Sequence, residues 1–109
     1  MATWFISRHQ GAIDWMKTQS IVVDHWEKHL DITQVSVGDV VIGTLSLVMA
    51  AQVLQKKARY ISLVLPLSLT ERGKEHTSQT LVNHGAYLQE FFVVAVVESL
   101  SSIRSVDIK

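Results

Sequence analysis

The sequence predicts an α/β fold, with a doubly wound, mostly parallel sheet and flanking helices in a single domain that spans residues 1–109. Two observations support this fold class. Segments rich in β-branched and aromatic residues alternate with segments whose apolar residues recur at three- and four-residue spacing. A chain of 109 residues, of which 48% are hydrophobic and 18% charged, also suits one buried core. The small share of charged residues favours an oligomer.

Five strands are predicted from the apolar runs. The clearest is Asp39–Thr44, whose valines and isoleucine form a continuous apolar run between Gly38 and Gly43, as in a central parallel strand buried on both faces. Pro66 cannot donate to a strand ladder, and it therefore ends the strand before it. The five predicted strands are 3–7, 21–23, 39–44, 60–65 and 87–97.

Three helices are predicted between these strands. The first follows Gly11 and has an apolar face that includes Trp15 and Met16. The second covers 45–57, where two closing lysines complement the negative end of the helix dipole. The third covers about 77–84 and ends before Gly85, a residue suited to a left-handed C-cap. The polar segment 24–36 is predicted as a loop or irregular helix, and the tail 98–109 receives no assignment.

Composition excludes several classes of function. Ten basic and ten acidic residues leave no global positive field, so no long nucleic acid is expected as a partner. The chain has no cysteine, which excludes disulfide and thiolate chemistry. The apolar run 91–97 is far shorter than the roughly 20 residues that cross a bilayer, and the first residues lack a signal-peptide pattern. We therefore expect a cytoplasmic protein with no membrane partner.

Three segments follow the predicted strands at the edge where parallel sheets bind ligands. The most informative is Ser7-Arg8-His9-Gln10-Gly11, which leads into the first helix. The N–H groups at a helix start, a flexible glycine and the Arg8 guanidinium together favour a phosphate. His9 can take or give a proton near neutral pH. The alternative interpretation is an ordinary solvated loop between strand and helix.

The other two segments add weaker candidates. Gly43 and Thr44 could contact a phosphate or ribose through the backbone and the hydroxyl, although glycine also ends strands and threonine also caps helices. Arg72 and Gly73, in the segment 65–73, again pair a cation with a flexible backbone.

No metal site is predicted. His25 and His29 are four residues apart but have no third ligand at a suitable spacing, so we interpret them as a surface pair. The three tryptophans are interpreted as core or interface anchors rather than as a platform for stacking bases, and they are Trp4, Trp15 and Trp26.

At these same residues the chain resembles the Csx-sixteen family, small accessory proteins of type III CRISPR loci. The resemblance spans about residues 3–92, and its opening block is the most specific part. The blocks that carry it are Trp-Phe-Ile-Ser-Arg-His-Gln-Gly-Ala-Ile-Asp-Trp at 4–15, His-Leu-Asp at 29–31, Gly-Asp-Val-Val-Ile-Gly-Thr-Leu at 38–45, Ala-Arg-Tyr at 58–60, Leu65-Pro66 and Arg72-Gly73.

The resemblance implies a Rossmann-like fold related to the domains that sense cyclic oligoadenylates (CARF-like), and a homodimer. It also implies a ring nuclease that linearises cyclic tetra-adenylate and so switches off the antiviral response, without a cofactor. Attack by the ribose 2′-hydroxyl on its neighbouring phosphate needs no metal. Arg8, Arg72 and loop N–H groups would then stabilise phosphoryl charge, and His9 would act as general base or acid.

Two other functions use the same phosphate contacts. A non-catalytic module could bind and sequester the cyclic nucleotide without cutting it. An ordinary hydrolase or transferase could act on a mononucleotide and would bind one ligand per chain.

Overall fold

A computed structural model describes residues 1–66 and 77–96, which form five strands, three α-helices and one short 3₁₀ helix. In chain order the elements are β1 (Thr3–Ile6), α1 (Gln10–Lys17), β2 (His25–Glu27), a 3₁₀ helix (Ile32–Gln34), β3 (Val40–Gly43), α2 (Leu47–Gln55), β4 (Arg59–Val64), α3 (Ser78–Asn83) and β5 (Tyr87–Phe91).

The strands form one mostly parallel sheet in the order β2-β1-β3-β4-β5. The four strands β2, β1, β3 and β4 are parallel to their neighbours, and β5 is antiparallel to β4. This arrangement confirms the predicted α/β fold with a mostly parallel sheet. Because β2 lies on one side of β1 and β3 on the other, the direction of winding reverses between β1 and β3.

Side chains of β1 and β3 alternate between two apolar layers, as the period of two in a strand requires. On one face Phe5 and Ile42 pack with Trp15 and Met16 of α1 and Leu81 of α3. The other face packs against α2, and its buried residues include Trp4, Val41, Val53 and Tyr60. Trp4 and Trp15 are therefore core residues, as predicted, whereas Trp26 is 38% exposed and contacts Phe5 edge-on.

The second strand lies at His25–Glu27, so the predicted strand at 21–23 is wrong. Asp24 fixes the start of pairing, because its N–H donates to the Thr3 carbonyl at 2.8 Å and its carboxylate accepts the Thr3 N–H at 2.7 Å. All three residues of β2 are exposed. An edge strand needs no apolar run, which is why the apolar Ile21–Val23 was misleading.

Other predicted boundaries differ for identifiable reasons. The second helix begins at Leu47 rather than Leu45, because the Ser46 hydroxyl accepts the Met49 N–H and caps the helix. The fifth strand ends at Phe91, which pairs with Tyr60. Since the antiparallel partner β4 starts at Arg59, a continuation to Val97 would have no strand to pair with; residues 92–96 have no regular secondary structure, and Val97 lies outside the described residues.

Asp39 holds the amino ends of β1 and β3 together, and it is only 3% exposed. Its carboxylate accepts the N–H groups of Ala2 at 2.9 Å and Ser36 at 2.9 Å, and the Trp4 indole N–H at 3.1 Å. Burial raises the pKa of the Asp39 carboxyl, but the three donors outweigh burial and leave the pKa below its ordinary value of 3.8. The ionised form is therefore part of the folded state.

We predict that Asp39→Asn lowers the free energy of unfolding by about 1–3 kcal/mol, because an amide turns an N–H group toward donors that need an acceptor. The lowered pKa means that the carboxylate stabilises the fold above about pH 4 and loses this effect as the pH falls through its folded-state pKa. The melting temperatures of wild type and Asp39→Asn should therefore converge as the pH is lowered. Asp14→Asn, at an exposed position on α1, is the control and should match wild type; a pH-independent gap for Asp39→Asn would contradict the argument.

Candidate functional site

A cleft of about 690 Å³ opens at the carboxyl ends of β1 and β3, where the winding of the sheet reverses. Doubly wound sheets bind ligands at this position. The volume falls in the range of roughly 300–1,000 Å³ that is typical of small-molecule sites. The site is predicted beyond the carboxyl ends of the strands, and this cleft opens there.

The polar wall of the cleft carries nitrogen-bearing side chains and no carboxylate among the described lining residues. Its four cationic or titratable members are Arg8, His9, Lys28 and His29. All four side chains are exposed. A wall of this composition favours an anionic ligand such as a phosphate.

The rest of the cleft is apolar. Leu63 of β4 and Leu65 just beyond it line the cleft, together with Leu81 of α3, Met49 of α2 and Leu45 of the loop after β3. The cleft therefore has one side suited to a charged group and another suited to a flat or apolar group such as a nucleobase.

Arg8 and His9 lie in the loop that joins β1 to α1. His9 is the N-cap of α1, and its side chain makes no cap hydrogen bond to the helix. Its backbone N–H donates to the Ser7 hydroxyl at 3.1 Å, and its carbonyl accepts the Ile13 N–H at 3.2 Å, which starts the helix. The predicted arrangement of Ser7, Arg8 and His9 at a helix start is confirmed.

Gln10 and Gly11 lie in the first turn of α1 and outside the cleft wall. The Gln10 amide donates to the Asp14 carboxylate at 2.8 Å along the helix. Gly11 is buried within α1, so the prediction of a flexible loop glycine before the helix is wrong. The helix begins at Gln10, two residues earlier than predicted, because His9 has extended backbone angles and is the N-cap.

Gly43 forms the floor of the cleft, next to Ile6 in the parallel register of β1 and β3. A Cβ atom at position 43 would lie 2.5 Å from the Ile6 carbonyl oxygen, and position 43 has φ of +157°. Only glycine allows the two strands to approach this closely up to the end of β3.

Thr44 lines the cleft immediately after β3, where its hydroxyl donates to the Leu63 carbonyl at 3.4 Å. The Tyr60 hydroxyl accepts the Leu45 N–H at 3.1 Å and donates to the Gly43 carbonyl at 3.4 Å. These two hydrogen bonds tie the backbone of the loop after β3 to β4. The alternative interpretation of Thr44 as a helix cap is wrong, because Ser46 caps α2.

Lys28 and His29 line the cleft although the sequence interpretation assigned them to a surface segment. They follow β2, so they lie at the same edge of the sheet as the loop after β1. Correct placement of β2 at His25–Glu27 would have revealed them. His25 is separate from them, since its ring stacks on Trp4 with the centroids 4.1 Å apart.

Arg72 and Gly73 lie outside the described residues, and their predicted contribution stays a prediction. Within 1–66 and 77–96, no three His, Cys, Asp or Glu side chains are grouped so that they could hold a metal ion. No helix in the same ranges is long and apolar enough to cross a membrane.

Comparison with family models identifies the family of this chain. Residues 4–94 match the model described as "Putative CRISPR-associated protein (Cas_VVA1548)", so the chain belongs to that family. The match covers β1 to β5 and includes every described residue of the cleft wall. The predicted association with CRISPR is confirmed. Comparisons with curated proteins and with solved structures gave no significant match.

We predict that Gly43→Ala destabilises the protein by about 1–3 kcal/mol more than Gly85→Ala. Both glycines have positive φ, but a Cβ at position 85 meets nothing within 4 Å, whereas one at position 43 meets the Ile6 carbonyl. The pair thus compares a position where a Cβ would meet the neighbouring strand with one where a Cβ would meet open space. Urea denaturation of both variants measures the difference, and equal midpoints would show that the contact with Ile6 is relieved at little cost.

Proposed function

We propose that this protein is a ring nuclease that binds cyclic oligoadenylate, cyclic tetra-adenylate in particular, and cleaves it without a metal to switch off type III CRISPR antiviral signalling. The family supports a role in CRISPR biology. The observation that carries the proposal is the cleft wall, in which Arg8 and His9 lie at the start of α1 beside Lys28 and His29.

The proposed reaction uses a nucleophile that the substrate itself supplies. The ribose O2′ attacks the adjacent phosphorus, a P–O2′ bond forms, and the P–O5′ bond breaks, which leaves a 2′,3′-cyclic phosphate and a 5′-hydroxyl. The O2′ proton passes to a base and O5′ gains a proton. The protein has to hold the ribose in line and stabilise charge on the phosphoryl oxygens.

Arg8 and His9 suit these two tasks. The Arg8 guanidinium can donate two parallel hydrogen bonds to a phosphate, and the uncapped start of α1 adds backbone N–H groups with partial positive charge. The His9 imidazole is a side chain of the kind that serves as general base or acid. On the other wall, Leu63 and Met49 offer apolar surface to an adenine.

Chromatography of cyclic tetra-adenylate after incubation with the purified protein and EDTA tests the proposal. We expect linear products that end in a 2′,3′-cyclic phosphate. Intact ligand recovered from a tight complex would instead establish a sequestering module. Calorimetry adds the stoichiometry, because one mononucleotide bound per chain, with no affinity for the cyclic ligand, would favour the mononucleotide enzyme.

We predict different effects for Arg8→Ala and His9→Ala. Loss of Arg8 should weaken binding of cyclic tetra-adenylate by about 1.5–3 kcal/mol and also slow turnover, because a charge-assisted contact is lost. Loss of His9 should leave affinity near wild type and lower the single-turnover rate by about 10²- to 10⁴-fold. Lys17→Ala, an exposed cation on α1 outside the cleft wall, is the control. Wild-type cleavage by His9→Ala would rule out proton transfer by this side chain.

The proposal includes a homodimer, because two copies of one cleft match a cyclic ligand that has its own two-fold axis. We propose that the contact includes the segment 91–97, predicted from its apolar sequence. Of its described residues, Phe92 is 81% exposed and Val94 is 62% exposed, next to the edge strand β5. Exposed apolar surface of this kind is typical of an interface.

We predict a light-scattering mass of twice the chain at micromolar concentration without ligand, and a shift of Phe92→Ser toward the monomer. Val22→Ser replaces an equally exposed apolar side chain near the opposite edge of the sheet and should keep the wild-type mass. A monomeric wild type would contradict the dimer. A Phe92→Ser protein that stays dimeric would contradict the proposed contact through the segment 91–97.

A further inference from the structure

Two histidines from different parts of the chain line one cleft. His9 belongs to the loop between β1 and α1, and His29 lies two residues beyond the end of β2. Parallel pairing of β1 with β2 brings these segments together, since Ile6 is in register with Glu27 and the Ser7 N–H donates to the Glu27 carbonyl at 3.0 Å. The two segments therefore leave the sheet side by side.

The described cleft wall that includes His29 carries cationic and polar side chains and no carboxylate; the nearest acidic residues along the chain, Glu27 and Asp31, are not part of that wall. Among the described lining residues, the other charged or titratable side chains of the cleft are Arg8, His9 and Lys28. The loop after β3 contributes the hydroxyl side chains of Thr44 and Ser46 to this cleft, and α2, β4 and α3 contribute apolar side chains. No described carboxylate in the wall competes with His29 for the proton that cleavage requires.

Cleavage by a 2′-hydroxyl needs two proton transfers at two different oxygens. One group removes the proton from O2′, and another protonates O5′ as the P–O5′ bond breaks. In an in-line displacement these oxygens lie on opposite sides of phosphorus. Two titratable groups that approach the phosphate from separate segments meet this requirement better than one.

We propose that His29 is a second catalytic residue and forms an acid–base pair with His9. One imidazole accepts the O2′ proton, and the other, protonated, gives its proton to O5′, so that each returns to its starting form after a compensating proton exchange with water. Lys28, next to His29, contacts the phosphate as a cation and moves no proton. This inference rests on the proposed ring cleavage.

Single-turnover cleavage of cyclic tetra-adenylate across pH tests the pair. Wild type should give a bell-shaped pH–rate profile. We expect His29→Asn to lower the rate by about 10²-fold or more, to remove one limb of the bell and to leave affinity unchanged. Lys28→Ala is the matched neighbour and should weaken binding while both limbs remain. His29 is exposed, so melting temperatures should stay at the wild-type value.

A substrate with sulfur in place of the bridging 5′-oxygen identifies the acid, because a thiolate leaves without protonation. We expect this substrate to restore the rate of only one of the variants His9→Asn and His29→Asn. Rescue of neither variant, or a wild-type rate and profile for His29→Asn, would overturn the pair while leaving ring cleavage by wild type intact. Failure of wild type to open the ring would instead defeat the proposed function itself, and the pair with it.

Discussion

Gly43 lies beside Ile6 at the carboxyl ends of the two central strands, so closely that a Cβ atom would approach the Ile6 carbonyl to 2.5 Å. Because position 43 has no side chain, β1 and β3 stay paired up to the residues where their loops begin. The β1–α1 loop and the loop after β3 consequently start from fixed positions on either side of the cleft floor. At the opposite ends of the same strands, the Asp39 carboxylate binds donors from three positions and fixes the pair a second time.

The charged side chains of the described cleft wall are cationic, although the whole chain has a net charge of zero. Several carboxylates have partners away from the cleft. Asp39 is buried in its own network, Glu90 forms a bidentate pair with Arg59 at 2.8 and 2.9 Å, and Asp31 accepts the Thr33 N–H and hydroxyl. These bonds hold the pKa values of all three carboxyls below their ordinary values. The described cleft wall has cationic side chains and no carboxylate, so it can attract an anion without any global positive field.

Periodicity in the sequence predicted the elements that are buried, because burial imposes the pattern. The central strand β3 and the helix face with Trp15 belong to this class. The strand β2 was misplaced because its residues are exposed on an edge, where pattern carries little information. The extent of β5 depended on where its partner β4 begins, which only tertiary structure reveals.

The candidate site shows the same division. Arg8 and His9 were identifiable because they occupy one short loop between a strand and a helix, so that sequence neighbours are also site neighbours. His29 joins them only through the pairing of β1 with β2, across about twenty residues of chain. When two strand ends form a site together, the sequence around one strand end identifies only the residues that this strand end contributes.

The two walls of the cleft also restrict how a nucleotide can bind under the proposed function. A phosphate is favoured beside Arg8 and Lys28, and an adenine is favoured against Leu63 and Met49. One chain thus provides for a phosphate and a base, the repeating unit of a cyclic oligoadenylate. If the protein binds such a ring, as proposed, further units would extend beyond a single cleft of about 690 Å³, because a volume of this size is typical of a site for one small molecule. A second copy of the same cleft, related by a two-fold axis, would supply the matching contacts for the opposite side of the ring.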